Sequence, residues 1–375
     1  MEDLVRNKLC PHFWQKKKIF VTGHSGFKGG WLSLWLQALN AEVIGFSLTP
    51  TTQPNLFTVA NVGAGMTNIF GDIRDYEQLL KAITQYQPDI IIHMAAQPLV
   101  RYSYQSPIET YSINVLGTVH LLEAARQTES VKAIVNVTTD KCYENKEWFW
   151  GYRENDRLGG HDPYSSSKAC AELVTSTYHN AYFRLANTVG LASARAGNVI
   201  GGGDWAQDRL IPDIVRACIN HQTVTIRYPH ALRPWQHVLE PLHAYLLLAQ
   251  CLYESPHLYS GAWNIGPNED DVKPVSWIVN YVNALWANNA IWHLSQTKNP
   301  HEANHLKLDC TKAKSQLGWQ PRWNLKKALR KSVGWYQAHA NNQAMYEMTL
   351  DQINEFMNNT PARNNNLTQI LEEKI

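Results

Sequence analysis

None of the six cysteines, at positions 10, 142, 170, 218, 251 and 310, falls in a Cys-x-x-Cys pair. That spacing argues against a thiolate metal site and for isolated thiols in a reducing compartment. No run approaches the roughly eighteen apolar residues a membrane helix needs. The N-terminus has no apolar stretch of signal-peptide length, and Lys16, Lys17 and Lys18 lead into a strand instead. Net charge is only +2 over 375 residues, too weak a field for nucleic acid to be the main partner. Internal repeats and low-complexity segments are also missing. The expectation is a cytoplasmic protein with no metal, no nucleic acid and no membrane.

What is present suits a globule with a large core, in one large domain or two linked ones: 44% of residues are hydrophobic and 18% charged. Fourteen Trp and seventeen Tyr are many. Most belong to the core, and a few are available to stack on sugars or bases.

After an irregular arm over residues 1–17, Lys18–Thr22 reads as a buried strand. Helical spacing of Trp31, Leu32, Trp35 and Leu36 predicts a helix over Gly29–Ala38. Strands are expected at Glu42–Phe46, Met66–Phe70, Ile90–His93 and Val131–Val137, with helices over Tyr76–Tyr86, Ile108–Gln127 and Asp162–Tyr182. Alternation of this kind predicts an α/β fold with a doubly wound parallel sheet covered on both faces. After about Leu191 the rhythm breaks. A glycine-rich stretch over Gly197–Asp204 precedes a helix at Leu210–Asn220, a strand at Gln222–Ile226, a helix at Val238–Leu252 and a strand at Ala262–Ile265. The C-terminal part is mostly helical, with loops around Asn299–His305. The expected partition is a Rossmann-type dinucleotide domain (18–193 and 236–266), a smaller, mostly helical substrate lobe (194–235 and 267–357) and a frayed tail (358–375).

Gly23, Gly26 and Gly29 lie between the first strand and its helix. Backbone N–H groups at a helix start can approach a pyrophosphate there, and the missing Cβ atoms allow a tight turn. Gly23, Ser25, Gly26, Phe27, Lys28 and Gly29 are therefore assigned to the cofactor, although the Lys28 ammonium reads as solvated. The second strand ends Phe46-Ser47-Leu48, with neither a carboxylate nor a nearby Arg or Lys for a 2′-phosphate. This favours NAD over NADP, with Ser47 as the ribose partner. Asp72 and Ile73, after the third strand, are placed at the adenine edge. Ala95, Ala96 and Gln97 follow the fourth strand, where small side chains leave room for the cofactor.

Tyr164 and Lys168 stand one helical turn apart on one face. A phenol is a poor base at neutral pH, and a neighbouring ammonium is expected to lower its pKa. Thr139, at the end of the fifth strand, supplies the companion hydroxyl. The whole set implies that an alcohol is deprotonated beside a dinucleotide.

At this point the chain resembles the extended short-chain dehydrogenase/reductase superfamily, which includes nucleotide-sugar epimerases and 4,6-dehydratases. Thr22–Gly29, His93–Ala96, Thr139-Asp140, Tyr164-x-x-x-Lys168, Asn198–Trp205, Arg233–Val238 and Leu317–Trp319 carry the resemblance, over about residues 18–340. It implies NAD as cofactor, adds Asn114 and Thr138 to the cofactor site, and assigns Asp140 as the acid of an elimination. Most 4,6-dehydratases have Glu, the presumed C5 base, at the next position; here it is Lys141. Either Lys141 acts as base or supports a water that does, or it serves to pair with Asp140. Asn198 and Arg233 are implied for the nucleotide-sugar substrate, with Arg195 and Arg209 as helpers. The resemblance further implies a homodimer built on helices 108–127 and 164–182, a cytosine nucleotide as substrate, and a supply of deoxysugars for bacterial surface polysaccharide such as lipopolysaccharide O antigen. A 4-epimerase and a nucleotide-sensing binding protein on the same fold stay open as alternatives. Asp140 weighs against the first, and the Tyr164/Lys168 pair against the second.

Overall fold

The computed structural model describes residues 8–186, 189–286, 292–295 and 305–359. Alternation along the strands sets its layers. β1 (Lys18–Thr22) turns Ile19 and Val21 to one face of the sheet and Phe20 to the other, and all three are fully buried. β2 (Glu42–Ser47), β4 (Ile90–His93) and β5 (Ala133–Val137) divide in the same way: Val43, Ile92 and Val135 face one cluster, Ile44, Ile91 and Ile134 the other. Strands buried on both faces need helices on both sides, and parallel pairing follows.

With β3 (Thr67–Phe70), β6 (Gly190–Ala196) and β7 (Gly261–Ile265), the sheet has seven parallel strands in the order β7-β6-β5-β4-β1-β2-β3. The order reverses between β1 and β4, which opens a crevice at their carboxyl ends where doubly wound folds bind ligands. α1 (Phe27–Ala38) and α6 (Leu239–Glu254) cover one face, and α2 (Tyr76–Tyr86) and α3 (Gly117–Arg126) the other. α4 (Pro163–Tyr178) is capped by Asp162, whose carboxylate accepts from Ser165 N–H at 2.9 Å.

Several boundaries differ from the sequence reading. β6 runs on to Ala196, so the sheet does not stop near residue 191 or 193; its small-residue run Gly-Leu-Ala-Ser-Ala-Arg-Ala lacks the β-branched pattern that marks the other strands. The helix expected at 108–127 begins at Pro107 and contains a wider π turn at Ser112–Leu116. Part of the arm is ordered: Pro11–Trp14 forms one helical turn and Trp14 is buried in the core. The loops expected before His305 and the tail beyond Asn359 lie outside the described residues.

The second lobe is built of α5 (Leu210–Ile219) and short two-stranded ribbons, such as Leu232–Pro234 against Val272–Pro274. α7 (Leu325–Ala340) and α8 (Met345–Asn358) return to the first lobe and share its core, with Trp35 and Phe356 edge to face at 5.7 Å. The two lobes are therefore one packed body around the crevice.

Candidate active site

The crevice is a cavity of about 600 Å³ that reaches from the glycine turn into the second lobe, within the range of about 300–1,000 Å³ typical of ligand pockets. The turn is fixed by sterics. Gly23 has φ +75°, and a Cβ on Gly29 would come within 2.0 Å of Gly23 O. Any side chain at Gly29 would push α1 off β1. With that contact preserved, the first-turn N–H groups of α1 face the cavity, as an anionic pyrophosphate requires.

Of the residues assigned to the cofactor, Gly23, Ser25, Gly26, Phe27, Lys28, Gly29, Ser47, Asp72, Ile73, Ala95, Ala96, Thr138, Tyr164 and Lys168 line this cavity. The others lie just behind the wall. Gln97 and Asn114 do not line it: Asn114 accepts from Gln97 N–H at 2.9 Å and donates to Ser167 Oγ at 2.8 Å, bracing the loop after β4 from behind. Ser47 is at the cavity wall, but its hydroxyl lies 2.8 Å from Ser25 Oγ and 3.1 Å from His24 Nδ1. His24 is folded under the turn against Phe57, in space left by Gly45, and burial lowers its pKa to about 4, so it is neutral. Asp72 is held by Arg74 in a two-oxygen contact.

At the reacting end, β5 delivers Thr138, Thr139 and Asp140, and the start of α4 delivers Tyr164 and Lys168. Tyr164 and Lys168 are 8% and 6% exposed, so water is nearly excluded from both. Lys168 Nζ donates to Val137 O at 3.2 Å; burial lowers its pKa to about 8, with Glu172 opposing. The Tyr164 phenol is not depressed as expected. Burial pushes it up to about 12, while a hydrogen bond with Thr139 pulls the other way and Asp140 adds to the rise. Desolvation outweighs attraction in the protein alone, so a further positive charge is needed to free this proton.

Asp140 is buried, and burial raises its pKa against the pull of Lys141, Thr139 and Arg233. Thr139 Oγ1 donates to its Oδ1 at 3.1 Å, whereas Oδ2 has no hydrogen-bond partner among the described residues. A Cβ at Gly197 would meet that oxygen at 2.7 Å and Pro234 at 2.9 Å, so only glycine fits against it. Burial therefore favours the protonated form of this carboxyl. Lys141 is half-buried and lines the same cavity.

Asn198, Arg209 and Arg233 line the cavity on the second-lobe side, and Arg209 is braced by Asp204 at 2.8 Å. Arg195 does not belong with them. It points from β6 into the protein, pairs with Glu172 at 2.7 Å and donates to Tyr143 Oη at 2.8 Å. Glu172, one turn beyond Lys168, also accepts from Thr138 and Ser193, and so ties α4 to β5 and β6. Sequence reasoning missed Glu172, although its spacing from Lys168 was available.

Comparison with known proteins agrees with this geometry. The family model for GDP-mannose 4,6 dehydratase matches residues 20–332. A CDP-glucose 4,6-dehydratase of Salmonella typhimurium is 54% identical over 94% of this chain and 99% of that protein. A dTDP-glucose 4,6-dehydratase of Bacillus anthracis, solved in complex with NAD, superposes with a TM-score of 0.72 at 24% identity, covering 87% of this chain and 98% of that one. An epimerase of Methanothermobacter thermautotrophicus gives 0.77 at 21% identity, covering 92% and 96%. At such identities the two structures speak for the fold. The match over most of its length places this chain in the GDP-mannose 4,6 dehydratase family.

Proposed function

We propose that the protein is an NAD-dependent hydro-lyase that converts CDP-D-glucose to CDP-4-dehydro-6-deoxy-D-glucose and water. The observation that carries the reading is Asp140: a buried carboxyl whose pKa is raised by burial and whose Oδ2 has no hydrogen-bond partner among the described residues, set beside the Thr139/Tyr164/Lys168 group. Epimerisation at C4 needs no such acid, whereas loss of the 6-hydroxyl does. The 54% identical relative supports the choice of CDP-glucose.

The steps divide among named side chains. Tyr164 takes the 4-hydroxyl proton, with Thr139 orienting the phenol and Lys168 holding positive charge nearby. NAD⁺ held by the glycine turn would supply the hydride acceptor for C4 and the hydride donor for C6, and a positive charge that favours loss of the Tyr164 proton. The 4-ketone makes the C5 hydrogen acidic, and Lys141 takes that proton or positions the water that does. Asp140 gives its proton to the departing 6-hydroxyl, and C5 is reprotonated at the end. Every atom but one water is conserved. The glycine turn and α1 hold the cofactor pyrophosphate, and Asn198, Arg209 and Arg233 hold the nucleotide sugar, Arg233 through a forked contact with phosphate.

No helix among the described residues is long and apolar enough to cross a membrane. A cytoplasmic homodimer completes the reading, with a product suited to making deoxysugars for surface polysaccharide. Ile108, Leu116 and Leu173 are 87%, 52% and 58% exposed on the helices around the π turn and on α4, an apolar face a second copy would cover. The test is incubation with CDP-, UDP-, GDP- and dTDP-glucose, with and without NAD⁺. A 4-keto sugar, seen by its absorbance in alkali, is expected from CDP-glucose. CDP-galactose as the product would reverse the reading in favour of an epimerase.

A further inference from the structure

The second-lobe wall of the cavity carries a carboxylate that the mechanism does not use. Arg209, just before α5, acts electrostatically on Tyr164 and so lies toward the reacting end. Asp213 lines the same cavity one helical turn further on, its N–H bonding back to Arg209 O at 3.0 Å, a step of about 6 Å along the axis. The charged groups that act on Asp213 are Arg216, Asp208 and Arg227, all of the second lobe. Arg216 donates to Asp213 Oδ1 and is itself fixed by donating to Trp205 O at 2.9 Å and Ala206 O at 3.2 Å. Asp213 Oδ2 has no hydrogen-bond partner among the described residues. Two elements packed against α5, the strand Val224–Ile226 and the helix Val275–Leu285, bring Val224, Ile226 and Val275 to the cavity wall. This end of the cleft therefore offers apolar walls and one braced acceptor.

With the sugar at Tyr164 and the diphosphate at Arg209 and Arg233, the base of a nucleotide sugar falls on the far side of Arg209, where Asp213 stands. Flat rings of similar shape are told apart there by one edge. Cytosine presents an N4 amino group, whereas uracil and thymine present the oxygen O4. A carboxylate accepts from the amino group. Against O4 it meets a second acceptor, and both oxygens lose water with no hydrogen bond in return. We propose that Asp213, braced by Arg216, accepts from the N4 amino group of the base and so selects cytosine nucleotides against uracil and thymine nucleotides. The inference rests on the nucleotide-sugar reading above and adds to it the side chain that sets the base. Arg216 has a definite part: it holds one carboxylate oxygen, which leaves the other to face the ring.

The test measures the affinities of CDP and UDP for the full chain by calorimetry, beside turnover of CDP-glucose and UDP-glucose. The unmodified protein is expected to bind CDP more tightly. Asp213→Asn can turn its oxygen to N4 or its amide N–H groups to O4. It is expected to shrink the preference for CDP on the order of tenfold, partly through a gain in UDP affinity. Asp213→Ala offers neither group, and is expected to lose CDP affinity without gaining UDP affinity. The ratio of kcat/KM for the two nucleotide-glucoses is expected to move in the same direction as the binding ratio. An unchanged ratio in Asp213→Asn overturns the proposal. Equal weakening of both nucleotides also overturns it, because Asp213 would then serve only to hold Arg216. Selective binding of CDP, lost in Asp213→Asn, with no 4-keto sugar formed from CDP-glucose, would support the role of Asp213 and refute the dehydratase reading instead.

Discussion

At the scale of single residues, the site separates proton removal from proton delivery by burial. Tyr164 and Asp140 are both pushed upward by burial, Tyr164 to about 12. On the proposed mechanism, Tyr164 releases its proton when positive charge arrives, and Asp140 gives its own to the departing 6-hydroxyl. Tyr164→Phe is expected to lower kcat by about 10²–10⁴ with cofactor binding retained, read by steady-state kinetics beside a cofactor titration. Asp140→Asn is expected to retain C4 oxidation and exchange of the C5 hydrogen in deuterated solvent while losing most of the dehydration. Equal loss of exchange and dehydration would deny Asp140 its separate role as acid. Lys141→Ala examines the other half: C5 exchange should fall with turnover, and unchanged exchange would exclude Lys141 as base or water holder. The Tyr164, Lys168, Thr139 and Asp140 set was legible in the sequence because its members lie at fixed spacings on one helix and one strand end. The true place of Lys28 was not, because it is set by Tyr245, 217 residues away. Arg195 misled for a similar reason: a basic residue near a phosphate motif reads as a ligand until its strand is seen to face inward to Glu172.

At the scale of elements, periodic apolar segments were found and irregular ones were not. β1 and β4 announce themselves by uninterrupted Ile, Val and Phe, whereas β6 is carried by glycine and alanine and gains its place only from β5 and β7 beside it. Pro11–Trp14 was missed because one helical turn has no period to read. The joint between α6 and the segment leading into α7 rests on a buried acid. Glu240 accepts from Trp323 N–H at 2.7 Å and from Arg322 N–H at 2.9 Å, and burial raises its pKa from 4.5 to about 8. The folded protein thus holds a proton that the unfolded chain releases above its ordinary pKa. Its contribution to stability is complete below about pH 4.5 and is lost progressively as pH rises to about 8. Glu240→Gln keeps the accepting oxygen and cannot ionise. Its Tm is expected to fall less than that of the unmodified protein between pH 5 and 8, by on the order of a few degrees at the upper end. Parallel curves would show that Glu240 is already ionised in the fold over this range, which would contradict a raised pKa.

At the scale of the molecule, the two lobes share one core, and the crevice between them is lined by Tyr164 and Lys168 on one side and Asn198, Arg209 and Arg233 on the other. The exposed apolar face around Ile108, Leu116 and Leu173 predicts a dimer. Leu116→Arg combined with Leu173→Arg is expected to give a monomer in sedimentation, and an unchanged dimer would move the interface elsewhere. Above all, the assembled site is expected to move one hydride within one sugar. CDP-glucose carrying deuterium at C4 tests this directly. The product is predicted to be a 4-keto-6-deoxy sugar with that deuterium at C6 and a solvent hydrogen at C5. Deuterium still at C4, beside an inverted hydroxyl, would contradict the account.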